Sequence, residues 1–335
     1  MLSRVANSIY WMNRYVERAE NVARFIEVNV NLMLDLPAGV DEQWAPLVHT
    51  TGDIEAFRER YGTASKQNVL EFLTFDVENP NSILSSLRMA RENARTVREI
   101  ISSEMWEQIN IFSLMVEAAA AHRDETGVSP DLYAEIKQAS HLFGGISHST
   151  MSHGEAWHFG RLGRFLERAD KTSRILDVKY FILLPGIADV GSPFDTLQWA
   201  ALLKSASALE MYRKRFGLIS PARVADFLIL DREFPRAMHF CVVRAEESVR
   251  AITGSVGGTF RNPAEQQLGR LRAELNYAHI REIIGEGLHE FLDRFQSQIN
   301  QADDCIFETF FALRPIAGSG AGLETNSDVL SGYES

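Results

Sequence analysis

Cysteine is almost absent from the 335 residues: Cys241 and Cys305 are the only two, too few for a disulfide framework or a zinc cluster. Both read as small buried apolar residues in a reducing compartment. Long apolar runs are missing as well. The main aliphatic stretch, around Phe181 to Leu184, is closed by Pro185, far short of the ~20 residues that span a bilayer. Arg4, Arg14, Glu17, Arg18, Glu20, Arg24 and Glu27 interrupt the first thirty positions, so no secretory signal is expected, and the expected location is cytoplasmic without a membrane anchor. Basic excess is lacking too: 34 Lys and Arg face 45 Asp and Glu, a net charge of −11. Such a surface repels nucleic acid and anionic lipid.

Alternating period-two runs are nearly absent, which excludes a sheet-dominated fold, whereas apolar residues recur three and four apart almost throughout. The pattern predicts an all-α protein, a single large bundle of about ten or more helices. The expected spans are 2–35, two short helices within 41–61, then 65–75, 82–102, 103–122, 130–147, 152–183, 193–216, 221–230, 235–253, 263–280 and 281–313. Ser129-Pro130, Ser192-Pro193, Ser220-Pro221 and Asn262-Pro263 each set a capping side chain before a proline suited to the first turn. Prolines and glycines at 36–39, 184–186 and 253–258 read as breaks between helices rather than domain linkers. After Arg314-Pro315 the chain is rich in Gly and Ser and too weakly apolar to repay its ordering entropy. One domain over 1–313 and a flexible tail over 314–335 are expected.

A repeat carries most of the charge pattern. RYVERAENVARFIEV, from Arg14, aligns with RFLERADKTSRILDV, from Arg164, at a constant offset of 150 residues. Only three of the fifteen positions differ in type. On a helical wheel Val5, Ile9, Met12, Val16, Ala19, Val22, Ala23 and Ile26 form the core-facing side of the first copy. Arg14, Glu17, Arg18, Asn21 and Arg24 fill the opposite arc, which ordinarily faces water. Tyr10, Trp11 and Phe25 lie in that same arc, however, and large rings among guanidinium groups point to a face that is covered. The second copy places Arg164, Glu167, Arg168, Lys171 and Arg174 equivalently. Three readings follow: a solvated face of i,i+3 and i,i+4 pairs, two helices crossing in the core and exchanging Glu17, Arg18, Glu167 and Arg168, or an anion site bounded by arginines. A third charged segment holds Arg91, Glu92, Asn93, Arg95 and Arg98, and Ser103-Glu104 begins a new helix beyond it.

Other chemistry finds little support. His148, His153 and His158 are five apart, a step of about 140° that cannot put metal ligands on one helix face. Glu155-x-x-His158 and Glu286-x-x-His289 match half of a helical di-metal site, the least favoured function. No GxGxxG, GxxxxGK[ST] or GxSxG is present, so neither nucleotide binding nor a self-contained hydrolase is expected.

The blocks LSRVANSIYWMNRYVERAENVARF, RENARTVREIISSEMWEQIN, FGRLGRFLERADKTSRILD and FLILDREFPRAM together resemble the bacterial alpha-E family, an all-helical family named for its Glu-Arg motif. The resemblance runs from residue 2 to about 313. On this chain it implies as motif residues Arg14, Glu17, Arg18, Asn21, Arg24, Arg91, Glu92, Asn93, Arg95, Arg164, Glu167, Arg168 and Asp170, with Asp231, Pro235 and Arg236 in a later block. Arg174 joins the arginines as a candidate for anion or partner binding. The resemblance also implies a setting, since such proteins are encoded beside or fused to a circularly permuted ATP-grasp protein, with a transglutaminase-like peptidase nearby. The expectation is a helical partner of an amide ligase, with no cofactor or metal of its own and with ATP and magnesium on the partner. The alternative is an enzyme of the same pathway, with Glu17 or Glu167 as base and arginines clamping a carboxylate or phosphate.

Overall fold

A computed structural model describes residues 1–34, 44–126, 128–129, 131–181 and 193–312. Among them are fifteen α-helices, a closing π-helical turn and no strand. The expected all-α class is observed. The tail beyond 312, the breaks at 36–39 and 184–186, Pro130 and Ser192 lie outside the described residues.

Two long helices form the axis of the bundle: α1 (Ser3–Leu34) and α8 (Glu155–Phe181), the two copies of the repeat. They pack against each other, and each has its own flanking helices. Helix α1 is covered by α5 (Ile83–Thr96) and α7 (Leu132–Thr150), while α8 is covered by α12 (Met238–Thr253) and α15 (Leu288–Ile306). The remaining helices are α2 (Ala45–Thr51), α3 (Ile54–Tyr61), α4 (Lys66–Thr74), α6 (Ser103–Thr126), α9 (Pro193–Ser205), α10 (Leu209–Phe216), α11 (Pro221–Leu230), α13 (Pro263–Tyr277) and α14 (Ile280–Glu286). The apolar side of α1, from Ile9 through Met12, Val16, Ala19, Val22 and Ala23 to Ile26, is buried as the wheel requires, while Val5 at its start is half-buried. Its polar side is buried too, beneath α8.

The closeness of the α1–α8 crossing has a local cause. A β-carbon on Gly163 would stand 2.4 Å from the Tyr10 carbonyl oxygen, and one on Gly160 would stand 2.6 Å from Asn13 Nδ2. The bare backbone at these two positions lets the helices approach until arginines on one reach glutamates on the other.

Several boundaries depart from expectation. The span 193–216 is two helices, because Ala208 N–H donates to the Leu203 carbonyl at 2.7 Å and Ser207 N–H to Lys204 at 2.9 Å. That pattern closes α9 as a Schellman turn, with Ser207 at φ 52° in the place usually taken by glycine. The span 281–313 is interrupted at Gly287, φ 112°, and ends in the π-helical residues Phe307–Phe311. Helix α5 stops at Thr96, short of residue 102, and Ser102 Oγ then accepts from Met105 N–H to start α6. Of the four proline-associated caps, Asn262 accepts from Glu265 N–H at 2.9 Å. Ser220 occupies the cap position without a side-chain bond, and α7 opens at Leu132 behind Asp131 rather than at Pro130. Cys241 is buried as expected, but Cys305 is only half-buried.

Candidate functional site

The two Glu-Arg motifs bond to each other across the α1–α8 crossing. Arg168 forks onto Glu17, its Nε 2.8 Å from Oε1 and its Nη2 2.7 Å from Oε2. Reciprocally, Arg18 forks onto Glu167, with Nε 2.7 Å from Oε1 and Nη2 3.1 Å from Oε2. Two bidentate pairs of this kind are the strongest charge-assisted geometry available to these side chains. Relative exposure is 2% for Glu17 and 1% for Glu167, so the solvated-face reading of the repeat fails and the crossing-helix reading holds.

Further groups complete each half. On the Glu167 side, Arg14 Nε donates to Oε2 at 2.9 Å while its Nη1 reaches Asp303 of α15 at 2.6 Å and Tyr10 Oη at 3.2 Å. Tyr10 in turn donates to Asp303 at 2.5 Å. On the Glu17 side, Arg236 Nη1 donates to Glu17 at 3.0 Å and to Asn21 at 2.8 Å, and its Nη2 bonds to Glu20. Glu20 also accepts from Arg24, Ser140 and His141. Beyond this centre Asp170 holds Arg174 and Lys171.

The block around FLILDREFPRAM gains a physical role here. Asp231 Oδ1 accepts from the backbone N–H groups of Glu233 and Phe234, at 2.9 and 2.7 Å, folding a tight turn after α11. The Pro235 carbonyl accepts from Arg168 and the Arg236 carbonyl from Thr172. The turn thereby delivers Arg236 into the interior, although among the described residues Asp231 itself bonds to the turn and to Arg215 alone.

Electrostatics follow from burial and pairing. Burial pushes the carboxyls of Glu17, Glu20 and Glu167 upward, but the neighbouring arginines outweigh it and hold all three below the ordinary value near 4.5. Two of the arginines are themselves pushed down: Arg236 by burial, and Arg164 by burial and then repulsion from Arg168, to about 10. The Nε atoms of Arg24 and Arg164 have no hydrogen-bond partner among the described residues, although Arg24 still reaches Glu20 through Nη2.

A carboxyl whose folded pKa is depressed adds stability that is present above its unfolded value and lost as pH falls through the folded one. Urea melts should therefore give a flat unfolding free energy from neutral pH to about pH 5 and a progressive fall below about pH 4.5. A constant free energy down to pH 3 would show that these carboxyls are not stabilised as anions.

Not every expected residue belongs to the network. Arg14, Glu17, Arg18, Asn21, Arg24, Glu167, Arg168, Asp170, Arg174 and Arg236 join it. Arg91, Glu92, Asn93 and Arg95 stand apart on α5: Arg91 bonds to Asn110, Asn93 to the Met89 carbonyl, and Arg95 to Glu92 on an exposed face. Glu20, Ser140, His141 and Asp303 are members that motif reading missed. Glu155 meets the N-terminal amine and His289 meets Asp177, and among the described residues no three His, Cys, Asp or Glu side chains gather for a metal.

A family model described as a predicted alpha-helical domain with a conserved ER motif, Alpha-E, matches residues 1–311. The chain belongs to the Alpha-E family. It is 23% identical, over 92% of its length, to an uncharacterized protein of Mycobacterium bovis and to uncharacterized proteins of two strains of Mycobacterium tuberculosis. The chain spans only 37% of the length of these curated relatives. No solved structure matches it. In this Alpha-E chain the two Glu-Arg motifs of the repeat are one structural unit, each neutralising the other. Among the described residues no helix is long and apolar enough to cross a membrane.

Proposed function

We propose that this Alpha-E chain is a cytoplasmic binding partner of a circularly permuted ATP-grasp amide ligase, contributing a rigid helical surface rather than the bond-forming groups. The observation that carries this reading is the state of Glu17 and Glu167. Each carboxylate is clamped by a bidentate arginine and a second guanidinium, and each is held below the ordinary carboxyl range. Such groups are poor proton acceptors near neutral pH, which disfavours the alternative in which either is a general base. ATP and magnesium then belong on the ligase, and a transglutaminase-like peptidase is a second candidate component. The mycobacterial relatives support a joint role, since most of their length lies outside the region that this chain matches.

Co-expression with the ligase, followed by size-exclusion chromatography and ATP-hydrolysis assays with amine and carboxylate substrates, tests the proposal. A complex that co-elutes at low ionic strength and weakens with added salt is expected, together with ATP turnover that depends on both chains. Separate elution of two folded proteins at low salt, with turnover unchanged by this chain, would refute it.

A further inference from the structure

The two halves of the repeat are alike at Glu17, Arg18, Glu167 and Arg168 but differ at the arginine that precedes them. Arg14 has a full set of acceptors: Glu167, the Asp303 carboxylate and Tyr10 Oη. Its counterpart 150 residues later is Arg164, for which the corresponding bonds are missing. Glu17, the equivalent of Glu167, already accepts from Arg168, Arg236 and Asn21, and Arg164 Nε is buried without a partner. The flanking helices correspond as well. Helix α15, which supplies Asp303, packs on α8 as α7 packs on α1. Helix α7 offers Arg164 no acid, however: it presents Gly144, whose β-carbon would lie 3.4 Å from Arg164 Nη1. Tyr10, the hydroxyl partner of Arg14, corresponds to Gly160.

Where the first half holds a carboxylate, the second half holds a cavity. It has a volume of about 240 Å³ and is lined by Arg164, Arg168, Ser140, His141, Glu17 and Glu20 among others. The two glutamates facing it are already engaged. Glu20 accepts from Arg24, Arg236, Ser140 and His141, and the four arginines around these two carboxylates leave an excess of positive charge. His141, with its side chain 63% exposed, marks the open side. The size is below the roughly 300–1,000 Å³ of drug-sized ligand sites and suits a small anionic group. A buried guanidinium nitrogen without an acceptor is uncommon and calls for one.

We infer that this cavity is a binding site for a carboxylate from outside the chain, held by Arg164 at the place equivalent to that of Asp303 beside Arg14. The ligand class is a small carboxylic acid, or the acidic side chain or terminus of a peptide, entering past His141. The fork of the guanidinium takes the two oxygens, as in other planar arginine–carboxylate recognition. Nothing in this inference depends on the ligase, so the test uses the full chain alone.

Isothermal titration calorimetry with acetate, glutarate and, separately, inorganic phosphate reads the site directly. Saturable binding of glutarate or acetate is expected, weakened at least ~10-fold in Arg164→Gln, the effect of losing one charge-assisted pair. Gly144→Asp supplies the missing acid on α7. It is expected to abolish the binding of added carboxylate while raising the melting temperature, which shows that the loss is not a loss of folding. Unchanged binding in Arg164→Gln, tighter binding of phosphate than of either carboxylate, or no saturable binding at all would each overturn the assignment. In the last case Arg164 is a structural arginine only.

Discussion

Glu167→Ala is expected to lower the unfolding free energy by about 3–5 kcal/mol, the cost of leaving buried charge uncompensated. The side chain accepts from Arg14 and Arg18 and lies near Lys171, and with 1% exposure it leaves little room for water to replace it. Removing it takes from Arg18 its carboxylate, leaving it only Asn81 among the described residues, and leaves Arg14 and Lys171 to Asp303 and Asp170, so positive charge beneath α1 and α8 goes uncompensated. The reasoning does not require the ion pairs to be net stabilising, because a hydrophobic replacement of the whole group could be neutral. It requires only that one partner be lost while the others stay. Equilibrium denaturation in guanidinium chloride measures the change, with Glu92→Ala as the reference. Glu92 pairs with Arg95 on an exposed face, so its loss should stay within ~0.5 kcal/mol. Equal small losses at both sites would mean that the Glu167 environment is hydrated.

Gly163→Ala is expected to be nearly as damaging, about 3 kcal/mol, at the upper end of what overpacking usually costs. The added carbon would meet the Tyr10 carbonyl oxygen at 2.4 Å and Arg14 Cγ at 3.1 Å. The first of these is backbone inside a helix and cannot swing aside. Relief comes only by opening the crossing, which lengthens the reciprocal Glu-Arg bonds. Alanine gains up to ~1 kcal/mol over glycine in a helix interior, so the clash must win by a clear margin. Gly145→Ala supplies the opposite sign: nothing lies within 4 Å of its added carbon, and the melting temperature should rise. Stabilisation by both substitutions would remove the close crossing from the account.

Which parts of this were legible in the sequence depends on what each signal encodes. Periodicity placed α1 and α8 because thirty or so residues of three-four spacing leave no alternative. The covered face was legible from Tyr10, Trp11 and Phe25 among the arginines: Arg14 stacks on Trp11 at 4.7 Å, and Tyr10 is fully buried. The offset of 150 residues named the partner helix. Asp303 was not legible, since a single acid in QADDCIF carries no pattern and reaches Arg14 only through the packing of α15. Glu20 lay outside the arc drawn for the motif, yet α7 approaches from that side with Ser140 and His141. The split at Ser207 escaped because its left-handed turn uses no glycine. Gly160 and Gly163 were the available signal that went unused, since two glycines three apart on a helix mark a close backbone approach. The α5 motif stands apart for a reason the sequence also held: its arginines have glutamate and asparagine partners on their own or the adjacent helix, which keeps them at the surface.

The central claim is that the two Glu-Arg motifs act on each other across one crossing. The measurement that tests it most directly is a double-mutant cycle on Glu17→Gln and Arg168→Gln, read as unfolding free energies of the two single variants and the double. The account predicts a coupling energy of about 1.5–3 kcal/mol, as for a charged pair in direct contact. Additive effects within ~0.5 kcal/mol would contradict it, because side chains bonded at 2.8 and 2.7 Å cannot be energetically independent.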